Sequence, residues 1–435
     1  MRRGIAATAL VAALAVSMAA CSSGGSGKSD SGKSGTGKAA ADPAGVSGTV
    51  TYWDTSDATK EAPAYKELIA KFEQQYPKIK VNYQNIPFAD IEQKFKATAQ
   101  SGKGAPDVMR ADVGLIPEYA SLSYLAPLDG TAALTKTEDF LPGPLHTTQY
   151  NSKSYGVPSV TDTLGLLYNK DLFKKAGIAA PPKTWDEFKQ DSAQIKEKTG
   201  AYGTYMNPDA YFLLPFLFGE GADMADADAK KITINSPEAV KALATAKDVY
   251  TSSSMKIDFA SAYDNMQKAF TTGKVAMLIQ GPWSTADDYA GAAFKDKDNL
   301  GYAPVPAGST GTAAAPTGGH DLVVYAGSKN LDASYLFTQF MTSTDSQAYI
   351  AVKNGTLPTR DSAYTAEVKA NASIAGFQGI LQTARPRVAL PQVGSLFTPL
   401  QQSYVKILQG SATPQQGADE AAKEFKKLLP DFSTN

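Results

Sequence analysis

The chain has 435 residues, of which 43% are hydrophobic and 20% are charged, with a formal net charge of −1 and a single cysteine. This composition is typical of a globular protein, and the length exceeds the roughly 250–300 residues at which one hydrophobic core stops growing. The near-neutral charge excludes a strongly basic nucleic-acid binder, and one cysteine excludes an internal disulfide.

The first twenty residues have the layout of a cleavable export signal. Arg2 and Arg3 precede an apolar run from Ile5 to Val16, and small residues follow up to Cys21. The run is shorter than the about 18 apolar residues that mark a membrane span, and no later segment is long enough. We therefore predict that these twenty residues are a signal peptide.

Cys21 closes the sequence Met-Ala-Ala-Cys, which resembles a bacterial lipobox, where a lipid is attached to the cysteine. Residues 22–38 are almost entirely Ser, Gly and Lys, so residues 21–47 are predicted to be a flexible, lipid-anchored tether. The stretch from Gly27 to Ser34 matches the phosphate-loop pattern G-x-x-x-x-G-K-[ST]. It lacks the preceding strand and following helix that such a loop requires, so we predict no nucleotide site and no cofactor.

Strand and helix patterns alternate at the start of the folded body. The predicted elements are a strand over 49–53, a helix with an apolar stripe from Tyr65 to Tyr76, a strand over 79–83, a helix from about Asp90 and a strand over 106–109. This order predicts a parallel α/β sheet, whose ligands bind at the carboxyl ends of the strands. The loops after Trp53 and Met109 are therefore expected to line a site.

The second half continues the α/β pattern. The predicted elements are a strand from Thr161 to Tyr168, a helix capped by Thr184 and Glu187 that buries Trp185, a helix opened by Ser236 and Pro237, a helix ended by Gly273, a strand over 275–279, a Pro- and Gly-rich connection over 303–319 and a strand over 322–325. We find no internal repeat of the kind that builds solenoids or propellers.

The residues used in most nucleophilic or metal-assisted catalysis are scarce. His146 and His320 are the only histidines, and neither has a partner at metal-ligand spacing. We predict no metal site and no enzyme activity. A glycosidase, which needs only two carboxylates, stays open as the enzyme alternative.

The body from about residue 48 to the end resembles the maltose-binding-protein family of extracellular solute-binding proteins. The stretches that carry the resemblance are Ala64–Phe72, Ala105–Val108, Leu167–Leu172, Pro181–Phe188, Gly273–Met277, Gly281–Trp283 and Gly318–Gly319. The resemblance implies an α/β, two-lobed periplasmic-binding-protein-like fold (type II), with discontinuous lobes joined by a hinge and closing over a ligand. We assign residues 48–160 and 321–370 to lobe 1, and residues 161–320 and 371–435 to lobe 2.

The resemblance also implies the residues that contact a sugar. Aromatic rings stack on the apolar face of a pyranose, and Trp283, Tyr211 and Phe397 match such positions, with burial in the core as the alternative for each. Trp53 is left open between core and site. The polar groups expected to bind hydroxyls are Asp57, Asp112, Asp162, Asp209 beside Tyr211, His320 after the glycine pair, and one of Arg385 and Arg387.

These features predict a monomeric substrate-binding lipoprotein of an ABC sugar importer. The expected partners are an oligosaccharide, with a malto-oligosaccharide or other α-glucoside first, the permease subunits, and the membrane through Cys21. A same-fold receptor for another glycoside or for a non-sugar solute stays open. The sequence departs from the best-known maltose-binding proteins in having no Trp near Asp112 and Phe at 397. These departures leave the linkage and chain length of the sugar open.

Overall fold

The computed structural model describes residues 43–434. The predicted signal peptide, the lipobox with Cys21, the phosphate-loop-like stretch and most of the tether lie outside the described residues. Within residues 43–434, no helix has the length and apolar character needed to span a membrane.

Fifteen strands run through residues 43–434. They are β1 (Gly48–Asp54), β2 (Ile79–Asn85), β3 (Val108–Asp112), β4 (Gln149–Tyr150), β5 (Lys153–Ser154), β6 (Gly156–Thr163), β7 (Gly165–Asn169), β8 (Tyr202–Thr204), β9 (Ala225–Asp226), β10 (Lys231–Ile232), β11 (Val275–Gln280), β12 (Leu300–Ala303), β13 (Ala315–Val324), β14 (Leu357–Pro358) and β15 (Ala384–Arg385).

Sixteen α-helices accompany these strands in the same part of the chain. They are α1 (Ala62–Gln75), α2 (Phe88–Ser101), α3 (Ile116–Ser121), α4 (Pro142–Thr147), α5 (Lys170–Ala176), α6 (Trp185–Thr199), α7 (Leu214–Gly219), α8 (Pro237–Ser253), α9 (Ala262–Thr271), α10 (Thr285–Ala290), α11 (Leu331–Met341), α12 (Thr344–Asn354), α13 (Ala366–Lys369), α14 (Ala372–Ile380), α15 (Val393–Gln409) and α16 (Pro414–Leu428).

Two separate sheets define two lobes. The first lobe is built on the sheet β14-β6-β13-β3-β1-β2, to which β15 adds beside β13, and the second on the sheet β12-β7-β11-β8. Strands β1, β2 and β3 are parallel, as the alternating pattern predicts, whereas β13 runs antiparallel to β3 and β6. The two-lobed α/β fold class is therefore confirmed, and the lobe boundaries given above stay a prediction.

Apolar stripes dock the helices on these sheets. In α1 the predicted stripe is confirmed, because Tyr65, Leu68 and Phe72 are buried against the first sheet's core. Trp185 begins α6, is 4% exposed and stacks on Phe216 with ring centroids 4.0 Å apart, so its predicted core position is also confirmed.

Trp53, which the sequence left open, belongs to the core. It is 1% exposed, and its indole N–H donates to Gln84 Oε1 at 3.1 Å. The helix caps also match their predicted residues, with one difference. Thr184 accepts from the Glu187 amide at 3.2 Å, but the Glu187 carboxylate accepts from the Lys183 amide instead of from the cap residue.

The chain crosses between the lobes where the sequence predicts one continuous strand. The expected strand from Thr161 to Tyr168 is interrupted at the buried Leu164, before which β6 lies in the first sheet and after which β7 lies in the second. A run of apolar and β-branched residues does not reveal which sheet each half joins. The break is therefore visible only in the structure.

The second crossing also differs from its prediction. The Pro- and Gly-rich stretch was expected to be a connection as far as Gly319, but β13 begins at Ala315 and pairs with both β6 and β15. Gly319 has φ +114°, and a β-carbon there would collide with the Val160 carbonyl oxygen. Gly318 and Gly319 therefore allow two strands to approach closely, and they do not mark a loop.

A candidate binding cleft between the lobes

Neighbouring strands bring three predicted site residues together at the crossing. His320 in β13 is paired in register with Asp112, the last residue of β3. Two residues earlier, Gly318 is paired with Asp162 in β6. The carboxylates of two strands and the imidazole between them thus share one edge of the first sheet.

Gly318 is the point where the two lobes meet. A β-carbon built on Gly318 would collide with Asp162 Oδ1 and would lie 2.5 Å from the Tyr211 hydroxyl oxygen. Tyr211 belongs to the second lobe, in the 3-10 turn Ala210–Leu213 that leads into α7. Only glycine leaves room at this position for a carboxylate from one lobe and a phenol from the other.

An ion pair between two predicted site residues lies beside this point. Arg387 Nη2 donates to Asp112 Oδ1 at 2.7 Å, and the two side chains are only 10% and 18% exposed. The Gly114 amide donates to the same carboxylate oxygen at 2.7 Å, which fixes the carboxylate at the end of β3. The guanidinium carbon of Arg387 lies 5.8 Å from the centre of the Tyr211 ring.

Burial sets the protonation of this group. Burial, with the nearby Asp112 carboxylate, raises the pKa of Asp162 to about 7 against the opposing effect of Arg387. Burial, with the Arg110 and Arg387 charges, holds the pKa of His320 well below its usual range, and burial raises the pKa of Tyr211 well above its usual range. At neutral pH the imidazole and the phenol are therefore uncharged, so each can donate and accept hydrogen bonds.

Several buried polar atoms of this group lack a partner within the described residues. They are the Tyr211 hydroxyl and both ring nitrogens of His320. Leaving a buried donor or acceptor unpaired costs about 1–3 kcal/mol. A polar ligand that reached these three atoms would supply the missing partners.

Asp209 positions Tyr211. Its carboxylate accepts from the Tyr211 amide at 2.7 Å, which caps the short turn, and its side chain is exposed. Desolvation by the surrounding protein raises the pKa of Asp209, and the hydrogen bond from the Tyr211 amide opposes that effect. Asp209 therefore fixes the backbone of the turn from which Tyr211 projects.

Trp283 lies on the second lobe, in a second group of predicted site residues. It is half-buried in the turn after β11, and its indole N–H donates to the Tyr263 hydroxyl at 3.1 Å. Behind it, Ser284 Oγ donates to the buried Asp288 carboxylate at 2.9 Å, and the Gly281 amide donates to Gln280 Oε1 at 2.9 Å. This buried network holds the turn and leaves part of the indole accessible.

The rim of the first lobe reaches this turn through an ion pair. Lys60 Nζ lies 2.5 Å from Asp287 Oδ1 and donates to Oδ2 at 2.6 Å, which joins the start of α1 to α10. Asp57, three residues earlier, is exposed and accepts from Thr59 N, Thr59 Oγ1 and Lys60 N at 2.8–2.9 Å. The Thr59 hydroxyl and amide are the main reason that the pKa of Asp57 is lowered.

Two predicted residues have other side-chain contacts. Arg385 is exposed, packs its guanidinium 4.8 Å above the Phe218 ring and donates to the Phe218 carbonyl at 3.4 Å. Phe397 is half-buried in α15 against the core of the second lobe. Of the arginine pair, the structure brings only Arg387 into contact with another predicted site residue.

Sequence reasoning did not select Tyr263, Lys60, Asp287 or Phe88, although each lies beside a predicted residue. Tyr263 and Phe88 are 40% and 58% exposed, and Phe88 stands 6.0 Å from the His320 ring. A single sequence does not reveal that these two aromatic side chains are exposed. Among residues 43–434 no cluster of His, Cys, Asp and Glu forms a cation site.

The chain matches known proteins over most of its length. The sequence model described as bacterial extracellular solute-binding protein matches residues 55–348. The GacH receptor of Streptomyces glaucescens, with structures unliganded and in complex with acarbose, is 44% identical with a TM-score of 0.85, covering 89% of this chain and 100% of that one. Maltose-bound MalE3 of T. maritima is 26% identical with a TM-score of 0.76, covering 87% and 99%.

Other relatives are less similar in sequence but match a comparable share of the chain. The diacetylchitobiose binding protein DasA of Streptomyces coelicolor is 29% identical over 400 residues, covering 89% of this chain and 92% of that protein. The maltooligosaccharide ABC transporter solute-binding lipoprotein of Streptococcus pneumoniae is 28% identical over 384 residues, covering 84% and 86%.

Proposed function

The chain belongs to the bacterial extracellular solute-binding proteins, and from that premise we propose that it binds an α-glucosidic oligosaccharide between its lobes for import. The observation that carries this proposal is the group at Gly318, where Asp162 of one lobe and Tyr211 of the other meet. A ligand there touches both lobes at once. Only such a ligand favours the closed arrangement over the open one.

Sugar hydroxyls suit the polar side of the cleft. A hydroxyl both donates and accepts, and so do the neutral His320 imidazole and the Tyr211 phenol. Arg387 and Asp112 add a fixed donor and a fixed acceptor. The unpaired atoms of His320 and Tyr211 acquire partners when the hydroxyls arrive, which offsets the cost of leaving them buried.

Aromatic surface suits the apolar side of a pyranose ring. Trp283 is held at its edge by Tyr263 and stays partly accessible, which is the arrangement a stacking platform needs. Tyr211 supplies a second ring and Phe397 a third in the proposal. Asp57 and Asp209 are proposed to accept from outer hydroxyls with the carboxylate oxygen that their local hydrogen bonds leave free.

Malto-oligosaccharides are the first ligand class of the proposal, since relatives named for maltose or maltooligosaccharide match more than four fifths of the chain. Acarbose is the second candidate. The observation that favours it is the 44% identity to a receptor whose structure was determined with acarbose. Their affinities distinguish these two ligands. The absence of sugar hydrolysis distinguishes the proposed receptor from the glycosidase alternative.

Export and anchoring complete the proposal. We propose that the signal peptide is removed before Cys21, that a lipid on Cys21 holds the protein on the extracellular face of the membrane, and that residues 21–47 tether a monomer there. A name with "lipoprotein" among the relatives supports this. The closed protein then presents its ligand to the permease subunits of an ABC importer.

Calorimetric titration tests the proposal. Purified protein is titrated with maltose, maltotriose, maltotetraose, acarbose, diacetylchitobiose and a xylo-oligosaccharide, and each ligand is recovered and analysed for hydrolysis. Binding of the α-glucosides or acarbose without hydrolysis supports the proposal. Heat from the other sugars alone, or hydrolysis of a bound sugar, refutes it.

A further inference from the structure

Phe88 is the most exposed large apolar side chain of residues 43–434, at 58%. It begins α2 directly after Pro87, at the edge of the first sheet where the strand-end loops lie. Three others exceed a third exposure, namely Leu122 at 47%, Tyr202 at 40% and Tyr263 at 40%.

Two of these others are covered or tied by the protein itself. Lys196 Nζ lies 3.5 Å from the centre of the Tyr202 ring, and the Tyr263 hydroxyl accepts from Trp283. Leu122 follows α3, and its amide donates to the Glu118 carbonyl as part of the helix end. Phe88 differs because its ring contacts His320, in the group of predicted site residues on the first lobe.

That contact is with His320. The ring centroids are 6.0 Å apart and the planes are inclined by 76°, an edge contact that leaves much of the Phe88 ring open to solvent. His320 in turn is paired with Asp112, which holds Arg387. Phe88 therefore continues the polar group at the crossing with an apolar surface on the same lobe.

The contacts of this group lead from Gly318 along β13 to His320, and from His320 to Phe88. Two residues of strand, about 7 Å, separate Gly318 from His320, and a further 6.0 Å separates the His320 ring from the Phe88 ring. A neighbouring unit of the same ligand lies within reach of Phe88. The His320 nitrogens then serve the hydroxyls between the two units.

Resting on the proposed function, we propose that Phe88 is the aromatic platform of an additional subsite on the first lobe. It stacks on a pyranose unit next to the one at Gly318, and it makes the protein prefer saccharides of three or more units over disaccharides. The ligand covers apolar surface that water otherwise contacts, which is favourable in proportion to the area covered.

The test compares ligand length in calorimetry on the full-length protein. Maltose, maltotriose and maltotetraose are titrated into the wild type, Phe88→Ala, Phe88→Trp and the matched control Leu122→Ala, which removes another exposed apolar side chain, at 47%, elsewhere. Phe88→Ala is expected to weaken trisaccharide and tetrasaccharide binding about ten-fold, the size of one aromatic contact. Maltose binding should stay within about two-fold, and Phe88→Trp should retain the length preference.

The outcomes separate this inference from the function beneath it. Unchanged trisaccharide affinity in Phe88→Ala overturns the inference alone, and so does an equal loss for all three lengths. A loss of the same size in Leu122→Ala also overturns it, because the effect then has no link to the cleft. A wild type that binds no saccharide of any class overturns the proposed function and the inference together.

Discussion

Replacing Gly318 by alanine tests whether the two lobes act on one ligand at this point. The added β-carbon would collide with Asp162 Oδ1 and would lie 2.5 Å from the Tyr211 hydroxyl oxygen, closer than the 3.0 Å below which real β-carbons are essentially never found. The collision is with side chains and not with backbone, so the strand itself need not move. The carboxylate and the phenol must retreat from the cleft.

The expected loss follows from the two contacts. A hydrogen bond to a charged group contributes about 1.5–3 kcal/mol and one between neutral groups about 0.5–1.5 kcal/mol, so misplacing both costs about 2–4 kcal/mol. That corresponds to a dissociation constant roughly 30- to 1000-fold higher. We expect Gly318→Ala to lower the free energy of unfolding by about 1 kcal/mol, the low end of the cost of overpacking, because the crowded side chains lie at a cleft surface.

Calorimetry with the best ligand of the panel measures the affinity, and urea unfolding measures the stability. The matched control is Gly379→Ala in α14, where no atom lies within 4 Å of the added carbon. Alanine there should leave affinity unchanged and raise stability by about 0.5–1 kcal/mol. Gly318→Ala with wild-type affinity would refute the placement of the ligand at Gly318.

Three further predictions concern closure, pH and anchoring. Lys60→Gln removes an exposed cross-lobe ion pair worth about 0.2–1 kcal/mol, so the variant should bind the ligand up to about five-fold more weakly. The charge-swapped double mutant, Lys60→Glu plus Asp287→Lys, should restore the affinity. A double mutant that binds no better than Lys60→Gln contradicts this prediction. Because burial and Asp112 raise the pKa of Asp162 to about 7 from 3.8, its protonated form stabilises the fold fully below about pH 4, and that contribution is lost as pH rises through 7. Asp162→Asn should therefore flatten the decline of the urea midpoint between about pH 4 and pH 7; an unchanged decline argues against it. Cys21→Ser should release the protein from cells into the medium, as judged by fractionation, and continued membrane retention would refute the anchor.

The regular parts of the fold could be predicted from the sequence because local patterns determine them. The apolar stripe from Tyr65 to Tyr76 predicts α1, and Ser236 with Pro237 predicts the start of α8, where Ser236 Oγ accepts from the Ala239 amide at 3.2 Å. Trp185 could be assigned to the core because it falls on the buried face of its helix. Each of these inferences needs only residues that are neighbours in sequence.

The crossings between lobes could not be predicted in this way. The segment from Thr161 to Tyr168 is uniformly strand-like, yet Leu164 divides it between two sheets. Gly318 and Gly319 lie in a composition typical of a loop, yet they pair with β6. Strands β6 and β7 pair with residues more than 100 positions away in the chain, and a single sequence does not encode that proximity visibly.

The candidate cleft was accessible from the sequence only in part. Strand-end reasoning and the family resemblance select Asp112, Asp162 and His320, which the structure brings to one edge. The choice between Arg385 and Arg387 required the structure, because only a contact with Asp112 distinguishes two arginines that flank one proline. The use of these residues in binding stays a prediction.

Calorimetric titration of the purified protein with the sugar panel shows whether the chain binds an oligosaccharide between its lobes. We expect saturable binding of a malto-oligosaccharide or acarbose at one site per chain, weakened roughly 30- to 1000-fold in Gly318→Ala and retained in Gly379→Ala. Equal binding in the two variants, or no heat from any α-glucoside while other solutes bind, would contradict it.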